Sequence, residues 1–222
     1  PHICTLFDVG REGDTDYLVM ELVEGETLAQ RLTRGALPLP EVLRLGAQIA
    51  DALDRAHRAG VIHRDLKPGN IMVDAANEPF VLDFGLSWGR GERVTGGVQS
   101  IVGTPAYMSP EQARGEEAKL TPATDVYGLG AILYEIVTRR PPFVAETSWK
   151  TLQLVLNTAP EPPERVAPNV DPGLQRVIMH CLEKDPASRY TSAAELAADL
   201  DRVLAGKQPK GPHTSFFRKK IF

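Results

Sequence analysis

Two short clusters concentrate the residues of this 222-residue chain that could do chemistry. The first is His63-Arg64-Asp65-Leu66-Lys67-Pro68-Gly69-Asn70, and the second is Asp83-Phe84-Gly85. Carboxylate and amide oxygens are hard donors of the kind that hold small divalent cations, and a carboxylate can also take a proton from a hydroxyl. Each cluster alone is a weak signal, because acids ahead of helices are most often caps. In this order, separated by short apolar strands that place Asp65 and Asp83 on neighbouring turns, they form one constellation.

The elements that must position it are legible around it. Residues 3–9 and 17–23 are apolar runs bounding Gly10, Gly13 and Asp14, the pattern of an antiparallel hairpin. Leu28 and Leu32 predict a brief helix ended at Gly35. Pro40 opens a longer one, with Val42, Leu45, Ile49, Leu53 and Ala56 on one face and Gly60 as its C-terminal cap. Residues 71–73 and 80–82 flank Asn77 and predict a second small hairpin. Residues 85–111, rich in Gly, Ser and Thr, read as a functional loop. Beyond it, Asp125 is a candidate cap for a mostly apolar helix carrying Val126, Leu129, Ile132, Leu133, Ile136 and Val137. Asp171 and Pro172 start a further helix with Leu174, Val177, Ile178 and Cys181 inward, stopped by Asp185 and Pro186. Ser192 and Glu195 form a capping-box pattern ahead of Leu196, Leu200 and Leu204. From Gly206 onward Lys207, Lys210, Arg218, Lys219 and Lys220 occur without an acid, which predicts a mobile basic tail over residues 206–222.

With 42% apolar and 24% charged residues the chain can bury a core, and a net charge of -4 argues against a nucleic-acid partner. Cys4 and Cys181 lack the spacing of a zinc site and read as buried free thiols in a reducing, cytoplasmic setting. No apolar run approaches the roughly 18 residues that span a bilayer. The chain opens at Pro1, inside a strand-like stretch, which suggests a start within a larger coding sequence.

The first cluster satisfies the pattern H-R-D-L-x-x-x-N, and with Asp83-Phe84-Gly85 it resembles the protein kinases. Residues 103–111, Gly-Thr-Pro-Ala-Tyr-Met-Ser-Pro-Glu, are similar to the end of a kinase activation segment, with Ser109 in place of the usual alanine. Lys67 and Thr104 point to the serine/threonine branch, and the runs at residues 69–72 and 109–112 look like the eukaryotic-like kinases of bacteria. The resemblance implies an α+β, predominantly helical fold: a kinase-like C-terminal lobe with an N-terminal β-hairpin and a small β-hairpin next to the catalytic loop. It implies Asp65 as the acceptor of the substrate hydroxyl's proton, Lys67 as a positive charge near the γ-phosphate, and Thr104 as a further catalytic position. Asn70 and Asp83 would hold Mg2+ on ATP. Asp125 would tie its helix to the catalytic-loop backbone, and Arg189 would pair with Glu111. Arg64 suggests control by phosphorylation at Thr95 or Ser100.

Residues 17–24 resemble the last N-lobe strand and the hinge, with Met20 guarding an inner pocket. Adenine would meet the backbone of Glu21 and Val23 and rest on Met72, with its ribose near Glu26. Residues 1–25 then read as the last N-lobe strands and hinge, and residues 26–205 as the C-lobe. The phosphate-covering Gly-x-Gly-x-x-Gly and its strand lysine have no match, since Gly10, Gly13, Gly128 and Gly130 are wrongly placed and Lys67 is the first lysine. The expected chain is a truncated serine/threonine kinase domain, weak or inactive alone, acting on protein hydroxyls. The alternatives are a catalytically dead kinase-like binding module and a small-molecule phosphotransferase. A membrane partner enters only if the parent chain continues past the basic tail into an anchor.

Overall fold

The computed structural model describes residues 1–84 and 105–211. Near the start, β1 (Leu6–Glu12) and β2 (Thr15–Met20) pair antiparallel around a turn in which Gly13 takes φ 61°. The expected hairpin is present but sits closer to its turn, because the residues before it pair elsewhere. Ile3 bridges Val81, the Cys4 N–H donates to Val81 O (3.0 Å), and the Val81 N–H donates to His2 O (2.9 Å).

A three-residue strand, β3 (Gly25–Thr27), follows and leads straight into α1 (Leu28–Arg34). Thr27 caps that helix and shares a reciprocal capping box with Gln30. Next, α2 (Leu39–Arg58) starts one residue ahead of Pro40 and buries the expected face, and Gly60 beyond its end takes φ 78°. β4 (Ile71–Asp74) and β5 (Pro79–Val81) form the second hairpin, with Asn77 at φ 65° in its turn. That hairpin is the larger part of a three-stranded antiparallel sheet ordered β3-β4-β5. The third strand carries no sequence signal, since three residues cannot display an alternation.

The remainder is helical: α3 (Pro110–Ala113), α4 (Pro122–Thr138), α5 (Ser148–Asn157), α6 (Pro163–Val166), α7 (Pro172–Cys181) and α8 (Ala193–Leu204). α4 is the central strut, packed by α2, α7 and α8, with Tyr127, Leu129, Ile132 and Leu133 fully buried. Leu129, Ile132 and Leu133 each contribute about 1.5–3 kcal/mol relative to exposure. Gly130 brings α4 against Cys181 of α7 at a separation that leaves no room for a Cβ.

Four expectations are corrected. Asp125 does not cap α4: the helix begins at Pro122 with Thr121 as its N-cap, so Asp125 lies one turn in and its carboxylate is available elsewhere. Ser192 caps α8, but the Glu195 carboxylate accepts from the Thr191 N–H (3.2 Å), so the box is not reciprocal. Leu204 is 39% exposed; the apolar stripe runs through Leu200 to Val203 instead. The start of the basic tail is docked, with the Lys210 and Gly211 N–H groups donating to Asp199 (2.7 and 2.8 Å) and Arg176 donating to Gly211 O (2.8 Å). Arg218, Lys219 and Lys220 lie outside the described residues. Cys4 and Cys181 are free and buried, and burial raises the pKa of both thiols. Among the described residues no helix is long and apolar enough to cross a membrane.

Candidate active site

The loop carrying Asp65 hangs from α4. The buried Asp125 carboxylate accepts from the backbone N–H of His63 (2.8 Å) and of Arg64 (2.9 Å), and from His57 Nε2 at 2.7 Å. These bonds hold Arg64 in the left-handed region at φ 69°, a conformation that costs a non-glycine residue about 1–3 kcal/mol. His63 completes the frame. Its Nδ1 accepts from the Asp65 N–H (3.2 Å), which assigns the ring proton to Nε2, the donor to Leu82 O at 2.7 Å. Its ring also meets Phe84 edge-on, with centroids 4.8 Å apart. One buried imidazole therefore links the residue before Asp83 to the backbone of Asp65.

Within that frame three of the expected side chains converge. Lys67 Nζ donates to Asp65 Oδ2 at 2.7 Å, and Asn70 Nδ2 donates to Asp65 O (2.8 Å) and Oδ2 (3.1 Å). The Asn70 carbonyl in turn accepts the Leu82 N–H at 2.9 Å, which binds the loop to the strand end that delivers Asp83. Asp83 is exposed and left-handed at φ 60°. The arrangement offers a proton acceptor, a cation paired beside it, and two hard oxygen donors.

Beneath the loop lies a buried ion pair. Arg189 spends all five of its N–H donors: two on Glu111 (2.8 Å each) and the rest on the carbonyls of Ala123, Glu183 and Lys184. Thr124 Oγ1 donates to the same carboxylate at 3.0 Å. Burial works to raise the Glu111 pKa, and the Arg189 guanidinium outweighs it and holds the group below its ordinary value. A small cleft beside the loop is lined by Arg64, Asp65, Lys67, Tyr107, Met108 and Gln112 among others.

Residues 1–200 match the family model described as "Protein kinase domain". The chain belongs to the protein kinase family. It is 37% identical over 218 residues to serine/threonine-protein kinase PknB of Mycobacterium leprae, covering 96% of this chain and 35% of that relative. It is also 37% identical over 204 residues to a probable serine/threonine-protein kinase, CPE1738, of Clostridium perfringens, covering 91% of this chain and 30% of the relative. The chain thus spans about a third of the length of the curated relatives it matches. Among solved structures it resembles Rad53 1-466 in complex with AMP-PNP, with TM-score 0.73 and 27% identity over 89% of this chain and 49% of the other. The α+β, mainly helical fold read from the sequence is the kinase fold.

The residues expected to form the hinge are placed less tightly. Glu21 donates its N–H to Thr5 O (2.8 Å), its carbonyl receives the Cys4 thiol at 3.4 Å, and Val23 follows outside any strand. Met72 stands opposite Thr27 in the sheet, whereas Glu26 stands opposite Val73 and forms an ion pair with Arg34. Thr104, Gly85, Thr95 and Ser100 lie outside the described residues.

Sequence reasoning missed three contributors to this site. His57 props Asp125 from α2; a lone histidine on a helix gives no sign of that. The Tyr107 hydroxyl donates to Glu135 at 2.6 Å; burial, helped by this bond, raises the tyrosine pKa, and burial also raises that of Glu135. Gln112 donates to Arg64 O at 2.5 Å, and its place three residues after Ser109 was a capping-box signal open to reading.

Proposed function

We propose that this chain supplies the catalytic floor of a serine/threonine protein kinase that moves the γ-phosphoryl group of ATP to a protein hydroxyl. The observation that carries the reading is the convergence of Lys67 and Asn70 on the Asp65 carboxylate, with Asn70 also bonded to the strand end before Asp83. Phosphoryl transfer asks for alignment and charge stabilisation more than covalent help. Asp65 orients the serine or threonine hydroxyl and takes its proton at Oδ1 or Oδ2. Lys67, already beside that carboxylate, offers its charge to the oxygens of the transferred group. Thr104, outside the described residues, belongs to the same reading as a further catalytic position.

The donor set suits a divalent cation. The Asn70 amide nitrogen is committed to Asp65, which leaves Oδ1 as a ligand atom, and the exposed Asp83 carboxylate supplies another. Among the described residues no three His, Cys, Asp or Glu side chains gather into a cation site of their own. Two protein oxygens match an ion that brings phosphate oxygens with it, as Mg2+ does. When bound it would neutralise charge on the nucleotide phosphates. We assign the adenine edge to the backbone of Glu21 and Val23, its face to Met72, the pocket guard to Met20 and the ribose side to Glu26. A cytoplasmic location and control through Thr95 or Ser100 complete the reading.

The test is Mg2+-dependent transfer of labelled phosphate from ATP to serine and threonine peptides by the longest natural protein that contains this segment. We expect incorporation, and a loss of about 100-fold or more in Asp65→Asn. No incorporation by the unsubstituted protein overturns the proposal. The 222-residue chain alone should bind nucleotide weakly and turn over little, because it offers no Gly-x-Gly-x-x-Gly run and no lysine before Lys67.

A further inference from the structure

The peptide unit joining Arg64 to Asp65 is held at both of its polar atoms. Its N–H, that of Asp65, donates to His63 Nδ1 at 3.2 Å, and its carbonyl, that of Arg64, accepts from Gln112 Nε2 at 2.5 Å. The Arg64 N–H one bond earlier is fixed by Asp125 at 2.9 Å. Gln112 reaches the loop because its other amide atom is committed. Gln112 Oε1 accepts from the Ser109 N–H (3.0 Å) and from Ser109 Oγ (3.2 Å), while the Gln112 N–H donates back to Ser109 Oγ (3.4 Å). An amide whose oxygen faces the N-cap of α3 must turn its nitrogen the other way, towards Arg64.

We propose that Gln112 is a positioning residue: it clamps the peptide bond ahead of Asp65 and thereby ties the orientation of the catalytic carboxylate to α3 on the substrate side. The inference rests on the kinase reading above. It also accounts for Ser109, which stands where the resemblance places alanine. An alanine there would keep the backbone N–H bond to Gln112 Oε1 and lose both hydroxyl bonds that back it. Arg64 at φ 69° is strained, and its carbonyl bond to Gln112 is one of the restraints that keep it there. Released from it, the loop peptide can rotate and carry Asp65 off line, where a displacement near 1 Å costs up to about 100-fold in rate.

The competing role is a cap for α3 alone, and two substitutions separate the two. Gln112→Glu keeps an acceptor for Ser109, since glutamate serves equally in a capping box, but sets an oxygen against the Arg64 carbonyl. Gln112→Lys gives up the cap and retains an N–H donor. Amide exchange followed by NMR on this chain should show Asp65 and Arg64 exchanging about 5- to 10-fold faster in Gln112→Glu, the equivalent of one hydrogen bond, with protection in α4 unchanged. In the longest natural protein, Gln112→Glu should lower kcat about 10- to 100-fold at unchanged KM for ATP, and Gln112→Lys should recover part of that loss. Unchanged exchange and kcat in Gln112→Glu, or an active glutamate variant beside an inactive lysine one, overturns the positioning role. If the unsubstituted protein transfers no phosphate, the kinase reading fails, and the exchange measurement still decides whether Gln112 clamps the loop.

Discussion

Val126, Leu129, Ile132 and Leu133 of α4 are fully buried, whereas Phe7 in β1 is 66% exposed, Val9 60%, and Leu22 just past β2 86%. Both stretches carry large apolar side chains. They differ in partners: α4 is enclosed by α2, α7 and α8, while β1 and β2 pair with each other and leave apolar side chains facing out. Within this chain the helical body therefore stabilises itself, and the hairpin depends on what covers it. The division also splits the site. Asp65, Lys67 and Asn70 hang from α4 through Asp125, whereas Glu21 and Val23 follow the hairpin, so the chemistry is anchored more firmly than the proposed adenine seat.

The largest effect that tests this contrast lies in the body. Arg189→Ala would strand the buried Glu111 carboxylate, and we expect a loss of about 3–5 kcal/mol in denaturant unfolding. A loss below about 1 kcal/mol would mean that the body does not rely on this pair, and that its self-sufficiency is purely apolar.

A second, smaller effect is set by pH. His180 is packed edge-on against Tyr190, with centroids 4.3 Å apart, and burial lowers its pKa from the ordinary 6.5 while Asp199 and Glu195 oppose the shift and Arg176 adds to it. As pH falls below about 6.5 the unfolded chain takes the proton first, so stability declines from that point down to the lower folded value. Glu111 acts further down: its stabilisation is complete above the ordinary 4.5 and disappears as pH falls through its lower folded value. Unfolding curves at stepped pH should show both segments, and His180→Gln should flatten only the upper one. A slope near pH 6 that survives His180→Gln would assign it to another group.

The smallest change in stability, and the one that sharpens the comparison most, belongs to the hairpin. Phe7→Ser and Val9→Thr should each shift unfolding by less than about 0.5 kcal/mol, because the side chains removed are already in water. Sedimentation should show less self-association in the double variant. A shift of several kcal/mol would show that the hairpin is a working part of the core.

Short-range spacing was enough to pick out the two motifs behind the kinase reading, the second hairpin and the buried faces of α2, α4 and α7, because helix faces and turns are set by residues a few positions apart. The same locality hid β3, too brief to alternate, and α5, which buries only Thr151, Leu152 and Val155. It also made Asp125 look like a cap, although its helix starts at Pro122. The partners that give the site its geometry are made by packing, and two of them were expected only through the resemblance: Asp125 meets the His63 N–H across 62 residues, and Arg189 meets Glu111 across 78. Such pairs, like the Gln112 bond to Arg64, exist only once α4 brings distant segments within about 3 Å of one another, where a buried polar atom must find a partner.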